Sequence, residues 1–432
     1  MKLKIYSLPH LTLKGMAQVI CIILISNITM LGQTPDNNQE ELSKLTVLIG
    51  KGLIDVEHGI TIDHPVIYIR NGVIEKVGTN LEIPENAKII NLSNNYIMPG
   101  MIDAHTHLCH EYNRDLNTVP GANTIAETVL LSEGDRALLG ARNAREMLYS
   151  GFTSARDLGN SGIGAAISLR NAINNNWVIG PRLFTSTRAL SPIGGQFVKM
   201  TPEIHSSIVL REYVEINNVD EARKAVRQTI YDGADVIKVI VNNGRLVLSE
   251  EELTAIVEEA KRAGLKIAAH ATNGDLPSLL AVKAGVNSIE HGYTISSDVL
   301  KLMAEKDIYL VPTDREGVDR YQKRIQRALA ANVKIAFGSD KYYKVNGQTR
   351  GQLAIGTYQS YKLAGMSNLQ ILQSATMNPG NLIAGKEKIG LLKQGYYADI
   401  IAVEENPLEN IQTLENVLFV MKEGIIYKNT DN

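Results

Sequence analysis

Cysteine is nearly missing from this 432-residue chain, which has only Cys21 and Cys109. Cys21 lies inside an N-terminal apolar run and leaves with it on cleavage. Cys109 then stands alone, which excludes an internal disulfide. Charge of one sign is also scarce. The formal net charge is −2, and loss of Lys2, Lys4 and Lys14 with the leader makes the remainder more negative. Nucleic-acid binding needs a basic footprint, and there is none. Aromatic residues are only 5% of the chain. No internal repeat beyond a β/α alternation is present, and no low-complexity segment.

The remaining composition is that of a globular protein able to bury a large core, with 44% hydrophobic and 21% charged residues. The length suits two or three domains, or one large barrel with an appendage. Residues 16–31 form an apolar run broken only by Gln18, Ser26, Asn27 and Thr29. Three lysines precede it and the polar stretch Gln33-Thr-Pro-Asp-Asn-Asn-Gln39 follows. This pattern predicts a signal peptide over 1–32, and hence a periplasmic or secreted protein. An uncleaved anchor is the alternative, but the run is short for a span, so no stable membrane span is expected after cleavage.

Residues 44–97 read as short strands joined by turns, with Asn71-Gly72 as a hairpin signal. From residue 97 short apolar runs alternate with helical stretches. They begin at 96–108 and continue through Phe152-Thr-Ser-Ala-Arg-Asp-Leu158, Arg182-Leu-Phe-Thr-Ser-Thr187 and Val236-Ile-Lys-Val-Ile-Val241. Lys266-Ile-Ala-Ala-His270, Ser288-Ile-Glu-His291, Ile308-Tyr-Leu-Val-Pro-Thr313 and Lys334-Ile-Ala-Phe-Gly-Ser-Asp340 complete the set. Helices are expected over 137–150, 219–232, 249–264, 276–285, 297–306 and 322–332, with two more after Asp340 over 351–363 and 367–375. Ser249-Glu-Glu-Glu252 has capping-box spacing. Eight strands alternating with helices predict an α/β (β/α)8 TIM barrel over 98–384, with an open doubly wound sheet as the alternative. Residues 385–430 return to β, and the two ends of the chain are expected to pack as one small β-sandwich.

Barrel active sites form at the C-terminal ends of the strands. His105 and His107 sit there two residues apart, so both imidazoles face one side of a strand. Lys238, His270, His291 and Asp340 occupy the ends of later strands. Each has an ordinary reading. His270 suits a hydrogen-bonded core histidine, Glu290-His291-Gly292 suits a loop, and Asp340 suits a helix N-cap. Lys238 is harder to dismiss, because a free ammonium inside a dry apolar strand is costly. Together, four imidazoles and a carboxylate converging on one mouth fit one or two divalent ions.

The segments Pro99-Gly-Met-Ile-Asp-Ala-His-Thr-His107, Asp232-Gly-Ala-Asp-Val-Ile-Lys238, Ala269-His-Ala271, Ser288-Ile-Glu-His-Gly292 and Gly338-Ser-Asp340 resemble the amidohydrolase superfamily. The resemblance is to its imidazolonepropionase-like and prolidase-like branch, and it covers about residues 44–428. It implies two zinc ions, or other divalent metals, bridged by a CO2-carboxylated Lys238. His105, His107 and Asp340 would hold one ion, and His270 and His291 the other. It further implies hydrolysis of a C–N amide bond by a metal-bridging hydroxide, with Asp340 as general base and then acid. Relatives commonly associate, so a homo-oligomer is an expectation of the same kind.

The chain departs from prolidase-like relatives in its loops. Gln196 replaces a histidine in Gly194-Gly-Gln-Phe-Val198, and Asn242-Asn-Gly-Arg245 follows Lys238 where a Gly-Gly pair is usual. Arg245 and Arg188 are candidate cations for a substrate carboxylate, with Gln196 and Tyr342 as further contacts. His110, Cys109 and Asp157 suit supporting positions. The leading expectation is an exported metal-dependent hydrolase of dipeptides or N-acyl amino acids. The alternatives are hydrolysis or deamination of a cyclic amide or imidazolone, and a silent metal-holding binding protein.

Overall fold

The computed structural model describes residues 44–113, 120–315 and 318–430. The expected leader over 1–32 lies outside them. Among the described residues, no helix is long and apolar enough to cross a membrane.

Strands from both ends of the chain meet in one eight-stranded sheet. Thr46–Asp55 lies parallel to Lys88–Pro99. On its other side Lys88–Pro99 pairs antiparallel with Ile400–Val403, with Ile400 opposite Pro99 and Val403 opposite Tyr96. Leu48, Ile67, Ile74, Leu92, Ile97, Ile400 and Phe419 form its buried core. The Asn71-Gly72 turn has φ of +51° and +75°, the left-handed pair that a tight hairpin needs. A Cβ on Gly72 would also meet the Glu423 carbonyl oxygen at 2.7 Å.

The 96–108 run, expected as one strand, is divided. Lys88–Pro99 belongs to the terminal sheet, and Met101–Thr106 opens the parallel system. The division falls at Gly100, where a Cβ would lie 2.2 Å from Thr153 Oγ1. The chain passes from one sheet to the other at a point with no room for a side chain.

Met101–Thr106, Phe152–Asp157 and Arg182–Thr185 pair in parallel. Ala189–Ser191, Val236–Ile240, Lys266–Ala271, Ser288–His291 and Tyr309–Val311 form a second parallel succession. Ile335 bridges Leu310 in parallel, and Ala104 N donates to Phe337 O at 2.8 Å. The order of strands thus leads back to its start, a TIM-barrel-like α/β arrangement. Strands such as Phe152–Asp157 and Val236–Ile240 are buried at every position. Both faces are covered, which is why Val236–Ile240 is apolar at every position but Lys238 rather than alternating.

Helices stand at the expected places, among them Glu133–Tyr149, Val219–Tyr231 and Glu250–Arg262. The last begins with the expected capping box. Glu252 N donates to Ser249 Oγ at 3.2 Å and Ser249 N donates to Glu252 Oε2 at 2.7 Å. Among the described residues, the helices not anticipated include Pro120–Leu130, Ala165–Asn174, Pro202–Glu212 and Met377–Ile383. Ala165–Asn174 follows Gly164, which has no side chain to cap it, so the usual start signal is missing. Pro202 at the first position of its helix was a legible signal.

One buried ion pair ties the helical layer to the strand ends. Arg324 and Asp314 are both fully buried and hydrogen-bonded to each other, and Arg324 also donates to the carbonyl of His291. Removing one member of such a pair strands the other charge. Arg324→Met is expected to lower unfolding free energy by about 3–5 kcal/mol, read from urea denaturation. The double variant with Asp314→Leu should recover part of that loss. A single-variant loss indistinguishable from zero would show that Asp314 has another partner.

Candidate metal centre

The parallel strands deliver His105, His107, Lys238, His270, His291 and Asp340 to one end of the fold, and all six line a single cavity of about 250 Å³. The imidazoles pack against one another. Ring centroids are 5.3 Å apart for His105 and His107, 5.0 Å for His105 and His291, and 4.5 Å for His270 and His291. Asp340 reaches the His107 Nε2 at 3.3 Å, the His105 Nε2 at 3.7 Å and the His291 Nδ1 at 3.8 Å. Lys238 Nζ lies 3.4 Å from His105 Nε2. Ligand atoms of His105, His291 and Asp340 all lie within 4.8 Å of one another.

The donor set fits a metal because the outer nitrogens are already occupied. His105 Nδ1 is 2.6 Å from Glu290 Oε2, and His107 Nδ1 is 2.7 Å from the Gly159 carbonyl oxygen. This leaves each Nε2 turned to the centre, the arrangement that orients ligand histidines. Burial, then the nearby Lys238 ammonium, holds the His105 imidazole well below its ordinary range, and His270 is lowered to about 3 by the same two causes. His291 is lowered chiefly by burial. These rings are therefore neutral and free to donate a lone pair. Burial pushes the Asp340 carboxyl up, but His105 and the hydrogen bond to His107 outweigh it and hold it at about 2. Lys238 is lowered to about 8 by burial, against the pull of Glu290 and Asp340.

A second layer, not read from the sequence as such, holds these groups. Glu290 is fully buried and accepts from Arg156 Nη2 at 2.9 Å, while Arg156 Nε donates to Ala104 O at 2.6 Å. The available signal was the charge itself: Arg156 and Glu290 each fall within a run expected as a buried barrel strand. Of the two readings of Glu290, the strand holds and the loop does not: it lies in Ser288–His291 and is fully buried there. Asp103 Oδ1 accepts from His105 N and Ser339 N, each at 3.0 Å, clamping the first and last strands together; burial raises this carboxyl to about 7. Gly338 permits the same closeness, since a Cβ there would be 2.7 Å from His105 Cβ. Asp157 turns to backbone, accepting from Leu108 N at 2.6 Å.

The remaining candidates separate. Gln196 lines the cavity, its Nε2 3.3 Å from His270 Nε2. Tyr342 lines it too, edge-on to His107 at 5.9 Å and stacked on His110 at 5.5 Å. Arg188 and Arg245 do not line it. Arg188 donates to the Leu210 carbonyl at 2.8 Å, and Arg245 is exposed in the turn between Asn242–Asn243 and Leu246–Val247. The guanidinium at the mouth is that of Arg315, 3.5 Å from the Tyr342 hydroxyl. It stands on a loop with no periodicity or motif to single it out. Cys109 is a buried free thiol.

The profile of the "Amidohydrolase family" matches residues 96–426. An ochratoxinase from Aspergillus niger is 30% identical, covering 89% of this chain and 87% of its own length. Among solved structures, a Xaa-Pro dipeptidase with bound methionine superposes with a TM-score of 0.77 at 29% identity, over 89% of this chain and 100% of that one. A prolidase complexed with N-methylphosphonate-L-proline also gives 0.77, at 26% identity and the same coverage. The family is generally metal-dependent, and the histidine–aspartate cluster is where an ion fits. The chain belongs to the amidohydrolase family and is a hydrolase acting on C–N amide bonds.

Proposed function

We propose that this protein is an exported, metal-dependent hydrolase of dipeptides or N-acyl amino acids. Export rests on residues 1–32 of the sequence alone. The fold that goes with it is a closed (β/α)8 barrel over 98–384, flanked by a β-sandwich from 44–97 and 385–430; the return of the strand order through Ile335 and Phe337 to Ala104 supports closure. The observation that carries the functional reading is the convergence of His105, His107, Lys238, His270, His291 and Asp340 on one small cavity. The Xaa-Pro dipeptidase and prolidase similarities support the substrate class.

His105, His107 and Asp340 would hold one zinc ion and His270 and His291 a second, with other divalent metals able to take the same ligands. Lys238 would bridge them as a carbamate. Its amine is drawn toward the neutral form by burial. Attack of that amine on CO2, with loss of a proton, turns a costly buried cation into an anionic ligand. Bound divalent ions supply a Lewis acid for the scissile carbonyl and acidify a water. Asp340 accepts the proton of the attacking water and delivers it to the leaving nitrogen. Its pKa, held at about 2, keeps the carboxylate ionised. Gln196 and Tyr342 shape the walls around the substrate.

Three outcomes are expected. Zinc- and bicarbonate-treated protein should cleave a coherent set in a library of dipeptides and N-acyl amino acids, and Lys238→Ala should abolish that activity. Full activity in Lys238→Ala would sink the bridging role. Asp340→Asn should reduce kcat by about 10²–10⁴-fold; an unchanged kcat would move the proton transfer elsewhere. Glu290→Gln should weaken metal affinity about 10–100-fold, read by chelator competition, and an unaltered affinity would mean that Glu290 does not orient His105.

A further inference from the structure

Beside the metal cavity lies a larger one of about 640 Å³, and Arg315 lines both. We propose that this larger cavity is a second substrate subsite, holding a carboxylate-bearing apolar portion of the substrate against Arg315 and Lys341. The proposal rests on the amide-hydrolase reading of the adjoining site and adds to it the place and the residues that hold the substrate's carboxylate.

Its wall is built for an anion. Lys341 follows Asp340 directly and is 6% exposed, yet its ammonium has only the Asp314 carbonyl oxygen at 3.4 Å. Neither Lys341 nor Arg315 forms an ion pair with a carboxylate among the described residues. The Asp103 carboxyl feels its charge without forming an ion pair with it, and a desolvated ammonium favours a closer counter-ion. Thr357 lines the same cavity at 2% exposure, and its hydroxyl has no hydrogen-bond partner. A buried hydroxyl without a partner is the kind of group that a ligand oxygen completes. Val345, Leu353 and Ile355 supply apolar surface. Among the described residues, the one carboxylate lining the cavity, Glu415, is exposed.

These features select a ligand with an apolar body and a carboxylate, the description of an amino-acid-derived acid. A guanidinium fork and an ammonium converge on the anion. Arg315 also lies beside Tyr342 in the metal cavity, so a substrate can keep its amide at the metals while its carboxylate reaches past Arg315. A neutral amide of the same shape would leave Lys341 desolvated and without a partner.

The test is calorimetric titration of the zinc-loaded full chain with hippurate and with hippuramide, which differ by one charged group. Hippurate is expected to bind about tenfold or more tightly than hippuramide, and Arg315→Gln and Lys341→Gln should each remove that preference. Lys341→Arg should retain it. In turnover of carboxylate-bearing substrates, Arg315→Gln should raise KM with kcat little changed. Arg315 is exposed, so its variant keeps the test decisive even where a Lys341 variant folds poorly. Absence of hippurate binding, equal affinity for both ligands, or a preference that survives Arg315→Gln would overturn the proposal. Charge-selective binding without turnover of any amide would instead leave the subsite standing and remove the hydrolase reading of its neighbour.

Discussion

A fully buried carboxylate, that of Glu290, sets the geometry of the site. One oxygen lies against Arg156 and the Ser288 hydroxyl, the other against His105. In a fully buried environment none of these groups can turn to solvent, so each can satisfy itself only in this one arrangement. His105 is thereby held with its second nitrogen toward the cavity. Arg156 in turn grips the carbonyl of Ala104 on the same strand as His105. Three strands are locked at their ends by a single chain of polar contacts.

The strand ends carry backbone conformations that ordinary residues avoid. His291, Thr313 and Asp340 have φ of +66°, +56° and +50°. Non-glycine residues in this region cost on the order of 1–2 kcal/mol each, and such strain persists where the surroundings over-determine it. Here Arg324 holds the His291 carbonyl, Thr313 Oγ1 lies 2.7 Å from His291 Nδ1, and Asp340 N donates to His105 O at 2.8 Å. The turns re-aim side chains from three strands into one cavity. The packing of Arg324 beneath them links the stability of the helical layer to the orientation of the site.

Much of the candidate site was legible before any coordinates. His105 and His107 could be paired because the strand period puts alternate residues on one side. Lys238 stood out because an ammonium is out of place in Val236–Ile240. The supporting groups were harder to see. Glu290 falls in a run expected as a strand, but nothing local to it shows that its carboxylate meets Arg156 and His105. The substrate cations were misplaced: nearness in sequence to Lys238 favoured Arg245, whereas the mouth is lined by Arg315, which lies more than seventy positions away along the chain. Cations on irregular loops have no periodicity from which to infer where they point.

Hydrophobic pattern and turn chemistry by themselves determined most of the strands, most of the helices and the order in which imidazole, amine and carboxylate side chains reach one end of the fold. These are local properties, set by side-chain period, capping and backbone freedom. What only the tertiary structure decided was which groups meet: that the two ends of the chain share one sheet, that the 96–108 run breaks at Gly100, that Glu290 faces His105, and that Arg315 stands between two cavities. Those outcomes depend on contacts between residues far apart in the chain, where close packing and the need to satisfy every buried polar atom leave one arrangement.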